Sequence, residues 1–328
     1  MGYFFLQTGS NAWRMRKDNL ATFIMTSSVN SNPGLASRLV NGVLAIKPLA
    51  NLAKHQARQM MIKRAEKIGV PWIKRVQELK TRDWESELSQ VKNPQTAYPD
   101  YYLKSFHAYE EGNLDWEAAL EAEVAAYTVH AGIWADSGAQ GDRLLRSSYH
   151  EVITSQTPTP QTILDLGCSV GMSTFALQEV YPSAEITGLD LSPYFLAVAK
   201  YSSKERNSTI NWLHATAEAT DLAANSFDLV SSFLMFHELP QSATKQIFQE
   251  AQRVLHPGGY LTIMDMNPKS EIYAKMPPYI LTLLKSTEPY LDDYFSLDIV
   301  SALVTAGFTT PTIISNTPRH RTIIARKL

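Results

Sequence analysis

Two groups of residues have the types and spacing to do chemistry. The first is a turn, Gly167-Cys-Ser-Val-Gly171, with Asp165 just before it and Asp190 nineteen positions after it. Glycine lets the backbone approach a ligand with no side chain in the way. Between a buried strand and a helix, such a turn commonly holds a nucleotide-type ligand. Dinucleotide sites carry G-x-G-x-x-G around a pyrophosphate; here the pattern is G-x-x-x-G, with Ser169 at the central position. A carboxylate closing the next strand, Asp190, can accept both hydroxyls of a ribose. The second group is Phe233-Leu-Met-Phe-His237-Glu238-Leu-Pro240. Histidine titrates near neutrality, which makes His237 a candidate base or polar contact to a reacting molecule, with Glu238 next. Capping of the following helix is an equal role for His237. Tyr149, His150 and Asp265 are further candidates, although packing explains Tyr149 and His150 at least as well.

These residues need elements to place them. From about residue 160, strands alternate with helices, which implies a parallel sheet covered on both faces. The expected strands are Thr162–Leu166, Glu185–Leu189, Asn211–His214, Phe227–Phe233 and Tyr260–Asp265. Helices are expected at about Met172–Glu179, Pro193–Lys200 and Gln241–Leu255, with a last one at Leu297–Ala306. Two apolar runs, Thr312–Ser315 and Arg321–Arg326, then read as a closing pair with one strand antiparallel. Residues 1–135 read as mostly helical. Leu52 to Ile68 places Ala53, Ala57, Met60, Met61, Ala65 and Ile68 on one face. A second helix, with Asn113 as cap, carries Trp116, Leu120, Val124 and Tyr127 as its apolar stripe.

Two further features extend the first group. Asn225-Ser-Phe-Asp-Leu-Val230 enters the fourth strand, and Arg253-Val-Leu-His-Pro-Gly-Gly-Tyr-Leu261 turns from a helix into the fifth. With the glycine turn and Asp190, this order resembles the class I methyltransferases that use S-adenosylmethionine, in particular the small-molecule branch containing ubiquinone and menaquinone C-methyltransferases. The resemblance is firm over residues 160–267 and looser to 328; residues 1–135 match no family. It implies an α/β fold: a Rossmann-like, mostly parallel seven-stranded sheet with the last strand antiparallel. A helical N-terminal domain (1–135) would precede the cofactor-binding domain (136–328), with a lid inserted at 268–295.

The resemblance also implies a site. S-adenosylmethionine has no phosphates, so two glycines suffice: Gly167, Cys168, Ser169 and Gly171 would pass along the ribose and the amino-acid tail. Asp165 would face the cofactor's amino group, Asp190 the ribose and Leu191 the adenine. Relatives often place an acid after the third strand against the adenine amino group. Here Thr216 stands at that position and Glu218 falls two residues late, so Thr216 and the backbone of Ala217 are the substitutes. Phe233 completes the cofactor side. The Asn/Asp-Pro-Pro-Tyr/Phe signature of base and glutamine N-methylation is missing after the fourth strand; Met276-Pro-Pro-Tyr279 lies after the fifth.

Composition narrows the remaining classes. The chain has 328 residues, 45% of them hydrophobic, with a formal net charge of −2, so no global field points to nucleic acid. The balance is uneven: residues 1–80 hold thirteen Lys/Arg against three Asp/Glu. Within 34–80, basic residues flank the Met60/Met61 stripe, and peripheral contact with an anionic membrane is one reading of that segment. A solvated face packed on its own domain is the plainer one. No run is long enough to span a bilayer, and the N-terminus lacks the sustained apolar core of a secretory signal, although an organelle presequence stays open. A cytoplasmic enzyme acting on a small, hydrophobic acceptor is the leading reading; a non-catalytic protein of the same fold, acting as a regulatory or assembly partner, is the alternative. Cys168 is the sole cysteine, which excludes an internal disulfide and a multi-cysteine metal site. It suits a turn that needs a small side chain better than it suits a nucleophile. No metal is expected.

Overall fold

The computed structural model describes residues 47–104, 109, 111–134 and 136–328. The basic N-terminus and residues 34–46 of the candidate membrane segment lie outside them. The described elements, in chain order, are α1 (Lys47–Lys67), α2 (Trp72–Lys80), α3 (Glu85–Val91), α4 (Trp116–His130), α5 (Gly141–Gln156), β1 (Thr162–Leu166), α6 (Met172–Val180), β2 (Glu185–Asp190), α7 (Pro193–Arg206), β3 (Asn211–His214), β4 (Phe227–Phe233), α8 (Gln241–Val254), β5 (Leu255–Met266), α9 (Glu271–Ala274), α10 (Pro278–Thr287), α11 (Leu291–Ser296), α12 (Ile299–Thr305), β6 (Thr312–Ser315) and β7 (His320–Arg326).

The seven strands form one sheet in the order β3-β2-β1-β4-β5-β7-β6. Pairing is parallel from β3 to β5, and β7 runs antiparallel between β5 and β6. Chain order reverses between β1 and β4, and a ligand crevice opens at such a switch, over the carboxyl ends of the strands. The central strands are buried on both faces, as crossover helices require: Ile163, Leu164, Leu229 and Val230 are all 0–1% exposed. Each such side chain contributes about 1.5–3 kcal/mol relative to leaving it in water.

The described residues, from 47 on, belong to one compact unit. Leu79, Trp84, Val91 and Leu120 share a hydrophobic cluster with Phe195, Leu196 and Val198 of α7. That cluster joins residues on both sides of the expected boundary at residue 135. Two local expectations are corrected. Asp115, not Asn113, caps α4, its carboxylate accepting from Glu117 N at 3.1 Å; the Asn113 carbonyl instead accepts from Ser192 Oγ at 2.6 Å. On α1, Ala57 and Met60 face outward, while Met61, Ile62, Ala65 and Ile68 pack inward. The reason is Arg58, which turns the helix toward α4 through ion pairs with Glu117 and with the fully buried Glu121. Among the described residues no helix is long and apolar enough to cross a membrane.

Candidate functional site

The glycine turn runs from β1 into α6 at the switch point. Gly167 (φ +67°), Ser169 (φ +50°) and Gly171 (φ +87°) all take left-handed backbone. Ser169 does so despite its Cβ, and strain of this kind persists where surrounding contacts over-determine the backbone. Here the contact is Asp190, whose carboxylate accepts from Ser169 N and from Ser192 N, each at 2.8 Å. Thus one carboxylate at the end of β2 shapes the turn and begins the next helix. Asp190 is 7% exposed, and burial pushes its pKa up to about 6 against the pull of those backbone N–H groups. Asp165 is 0% exposed. Ser173 and Thr174 donate to its Oδ2 at 2.6 and 2.7 Å, while Oδ1 is buried with no hydrogen-bond partner. Burial lifts its pKa to about 6 as well. Cys168 is buried, and burial together with Asp190 and Asp165 pushes its thiol far up, so it stays protonated and is no nucleophile.

A tyrosine-rich strap, residues 93–102, lies along the outer rim of this half. His214, at the end of β3, receives Asn93 N at Nδ1 (3.0 Å), so its Nε2 donates to the Leu191 carbonyl at 3.0 Å. Burial accordingly lowers its pKa. Tyr101 donates to Glu218 at 2.5 Å and meets Tyr290 edge-on at 6.2 Å. Tyr102 stacks on Tyr98, with centroids 6.3 Å apart. Burial raises its phenol well above the ordinary range, with the Asp190 and Glu238 carboxylates adding to the effect. Leu191 and Ala217 are both buried, and Tyr101 packs on the cluster that includes Ala217. Thr216 is half-buried and donates to the Ala219 carbonyl at 3.2 Å, closing a local bridge. The strap was not legible in the sequence; Tyr98, Tyr101 and Tyr102 offered only a cluster of one residue type in a connecting segment.

The other half of the crevice lies at the ends of β4 and β5. A 3-10 turn, Phe236–Glu238, follows β4. His237 Nδ1 donates to Asp265 Oδ1 at 2.7 Å, and Asp265 Oδ2 accepts the His237 backbone N–H at 3.2 Å. Burial would lower the imidazole pKa, but the 0%-exposed Asp265 prevails and holds it up at about 10. At neutral pH the ring is an acid and a donor; of its two expected roles, polar contact fits this geometry and free base does not. Glu238 stands beside it, and Glu288, just past α10, converges on the same point. Other candidates are placed elsewhere. The Tyr149 hydroxyl bonds Ser231 and Thr262 Oγ1 at 2.8 and 2.6 Å inside the sheet, so it does not open onto the rim. His150, 9% exposed next to Arg146, is held near pKa 4 by burial and hence neutral. Phe233, at the end of β4, carries the Arg146 guanidinium over its ring at 4.4 Å.

Comparison with known proteins places this arrangement. The family described as a methyltransferase domain matches residues 163–259. An uncharacterised methyltransferase of Synechocystis sp. is 31% identical over 149 residues, covering 45% of this chain and 67% of that protein. The chain belongs to the class I S-adenosylmethionine-dependent methyltransferases. A demethylmenaquinone methyltransferase of Thermus thermophilus is 32% identical over 109 residues, a third of this chain (33%) and about half (49%) of that enzyme. The fold is shared with phosphoethanolamine N-methyltransferase 2 of Haemonchus contortus, at TM-score 0.52 and 16% identity over 66% of this chain and 60% of that one. The cofactor of this methyltransferase family is S-adenosylmethionine, and the residues present fit it. The orphaned Asp165 Oδ1 awaits a donor such as an ammonium, Asp190 keeps lone pairs for hydroxyls, and the turn presents bare backbone.

Proposed function

We propose that this chain transfers the methyl group of S-adenosylmethionine to a small, largely apolar acceptor that enters over the ends of β4 and β5. The observation that carries the reading is Asp190: a buried carboxylate closing β2 beside the sheet's switch point, tied to the strained glycine turn at 2.8 Å. A bound sulfonium supplies an already activated methyl, so the protein's task is alignment in a dry pocket. Asp190 would hold the ribose, Asp165 the amino group, and Leu191 with Ala217 the adenine. Phe233, the last residue of β4, would pack between cofactor and acceptor. His237, fixed by Asp265, and Glu238 would hold a polar atom of the acceptor.

Two features support an apolar acceptor. Tyr273, Leu284 and Phe295, from the three short helices of the 268–295 insertion, pack on the core beside Tyr294. Tyr279 and Ile280 of the same insertion remain exposed. The Thermus relative's name refers to a quinone, an acceptor of this chemical kind. The test is transfer of labelled methyl from S-adenosylmethionine into polar and organic-soluble extract fractions, followed by mass spectrometry of the product. Label in the organic fraction, lost in Asp190→Ala, is the expected result. A protein that binds the cofactor yet labels neither fraction would instead favour a non-catalytic partner role.

A further inference from the structure

We propose that the rim between β4, β5 and α10 is a mononuclear divalent-metal site, with Nε2 of His237 and one carboxylate oxygen each from Glu238 and Glu288 as ligands. Donor atoms of these three residues lie within 4.8 Å of one another, the single such group among the described residues. A metal with bonds of about 2.0–2.2 Å needs its ligand atoms about 3–3.5 Å apart, a distance that small side-chain rotations supply. The ligands come from two separate parts of the chain: His237 and Glu238 from the turn after β4, Glu288 from the end of α10. Glu288 is 7% and His237 9% exposed, and Glu238 is half-buried.

Asp265 is the second, independent observation. It lies outside the donor group, is 0% exposed, and accepts the His237 Nδ1–H at 2.7 Å while bonding the same residue's backbone N–H. That contact fixes ring and tautomer so that Nε2 is the nitrogen left to bind, which is how metal-ligating histidines are ordinarily oriented. Arg321 faces Asp265 across the β5–β7 ladder but forms no ion pair with it; its guanidinium sits 5.9 Å from the Tyr294 ring.

The donor set chooses the ion. One imidazole with two carboxylates suits Mn²⁺, Fe²⁺ or Zn²⁺ better than the all-oxygen preference of Ca²⁺ or Mg²⁺. Three protein ligands leave coordination positions open, the pattern of a site that binds substrate and not of a structural clamp. The acceptor class follows, resting on the methyl-transfer reading: a molecule with an oxygen donor, such as a phenol, enol or carboxylate, on an apolar body. Metal binding itself does not depend on that reading.

The test uses the full chain, stripped with EDTA, dialysed and titrated with Mn²⁺ alone while free Mn²⁺ is followed by electron paramagnetic resonance, with Co²⁺ absorption as a second probe. The expected result is one ion per chain. Glu288→Gln, nearly isosteric, should weaken binding by at least about tenfold, and Asp265→Asn by about 10–100-fold. Retention of the S-adenosylmethionine-induced melting shift in both variants would show that they fold. No binding above the level of Glu288→Gln, or full binding untouched by Glu288→Gln and His237→Ala, overturns the proposal. Metal binding without any methyl transfer would sustain the site and sink the transferase reading. EDTA-resistant transfer with no Mn²⁺ bound would do the reverse.

Discussion

The end of β2 presents mostly backbone and one carboxylate; the ends of β4 and β5 present side chains gathered from several elements. The first half is local. Asp165, the glycine turn and Asp190 lie within 26 residues, and each hydrogen bond that shapes the turn runs between chain neighbours of one β-α-β unit. The second half is assembled. His237 and Asp265 are 28 residues apart, and Glu288 arrives from an insertion that no strand pairing predicts. A cofactor shared by a whole fold needs the same backbone approach every time, whereas an acceptor differs between enzymes and is met by side chains.

The sharpest way to break this contrast is to compare cofactor affinity in Asp190→Ala and Asp265→Asn. Loss of two charge-assisted hydrogen bonds should cost about 3 kcal/mol or more, roughly 100-fold in the S-adenosylmethionine dissociation constant by calorimetry. Asp265→Asn should leave that constant within about twofold. Equal losses in the two variants would mean that the halves are not separate.

Next in size is the pH dependence. In the proposed ribose role Asp190 would accept hydroxyls as a carboxylate, and its pKa in the free protein is near 6. Cofactor binding should therefore be pH-independent well above 6 and weaken below it, about tenfold per unit for Asp190 alone and more steeply with Asp165, whose pKa is lifted to about 6 as well. The sign for stability is opposite. Between about pH 4 and 6 the native state holds a proton that the unfolded chain has released, so the free protein gains stability as pH falls through that window. Asp190→Asn should flatten its share of both slopes; a binding constant unchanged between pH 7.5 and 5 would remove Asp190 from the ribose role.

A smaller effect is expected at Gly167. Its φ of +67° disfavours any Cβ, and that atom would lie 2.6 Å from Met235 Sδ, a flexible chain end able to move. The backbone strain dominates, so Gly167→Ala should cost about 1–2 kcal/mol of stability, read by denaturant unfolding. An unchanged midpoint would show that the turn tolerates a side chain. Smallest of all is Tyr101→Phe. Removing its bond to Glu218 should cost about 1 kcal/mol or less and shift cofactor affinity by less than about fivefold. A larger loss would move the strap from the rim of the cofactor half to its centre.

The strands illustrate what was legible. Thr162–Leu166, Asn211–His214, Phe227–Phe233 and Thr312–Ser315 have the boundaries expected of them; for the central pair, Thr162–Leu166 and Phe227–Phe233, the reason is that a strand buried on both faces must be largely apolar. β5 begins earlier than expected, at Leu255, since Pro257 and Gly258 are absorbed at a register shift where β4 pairs with it. On α1, Met61, Ala65 and Ile68 of the expected face pack inward but Ala57 and Met60 do not, because Arg58 reaches a buried glutamate that no helical period reveals.

By itself the sequence determined the glycine turn, the strand-end carboxylate and the buried strands, since these follow from backbone geometry and neighbours close in the chain. Only the tertiary structure decided the acceptor half. It set the Asp265 hydrogen bond that keeps His237 cationic in the free protein, the enclosure of Tyr149 within the sheet, and the approach of Glu288. The physical reason is distance along the chain: a side chain's charge and direction depend on groups that only the closed sheet brings within a few ångströms.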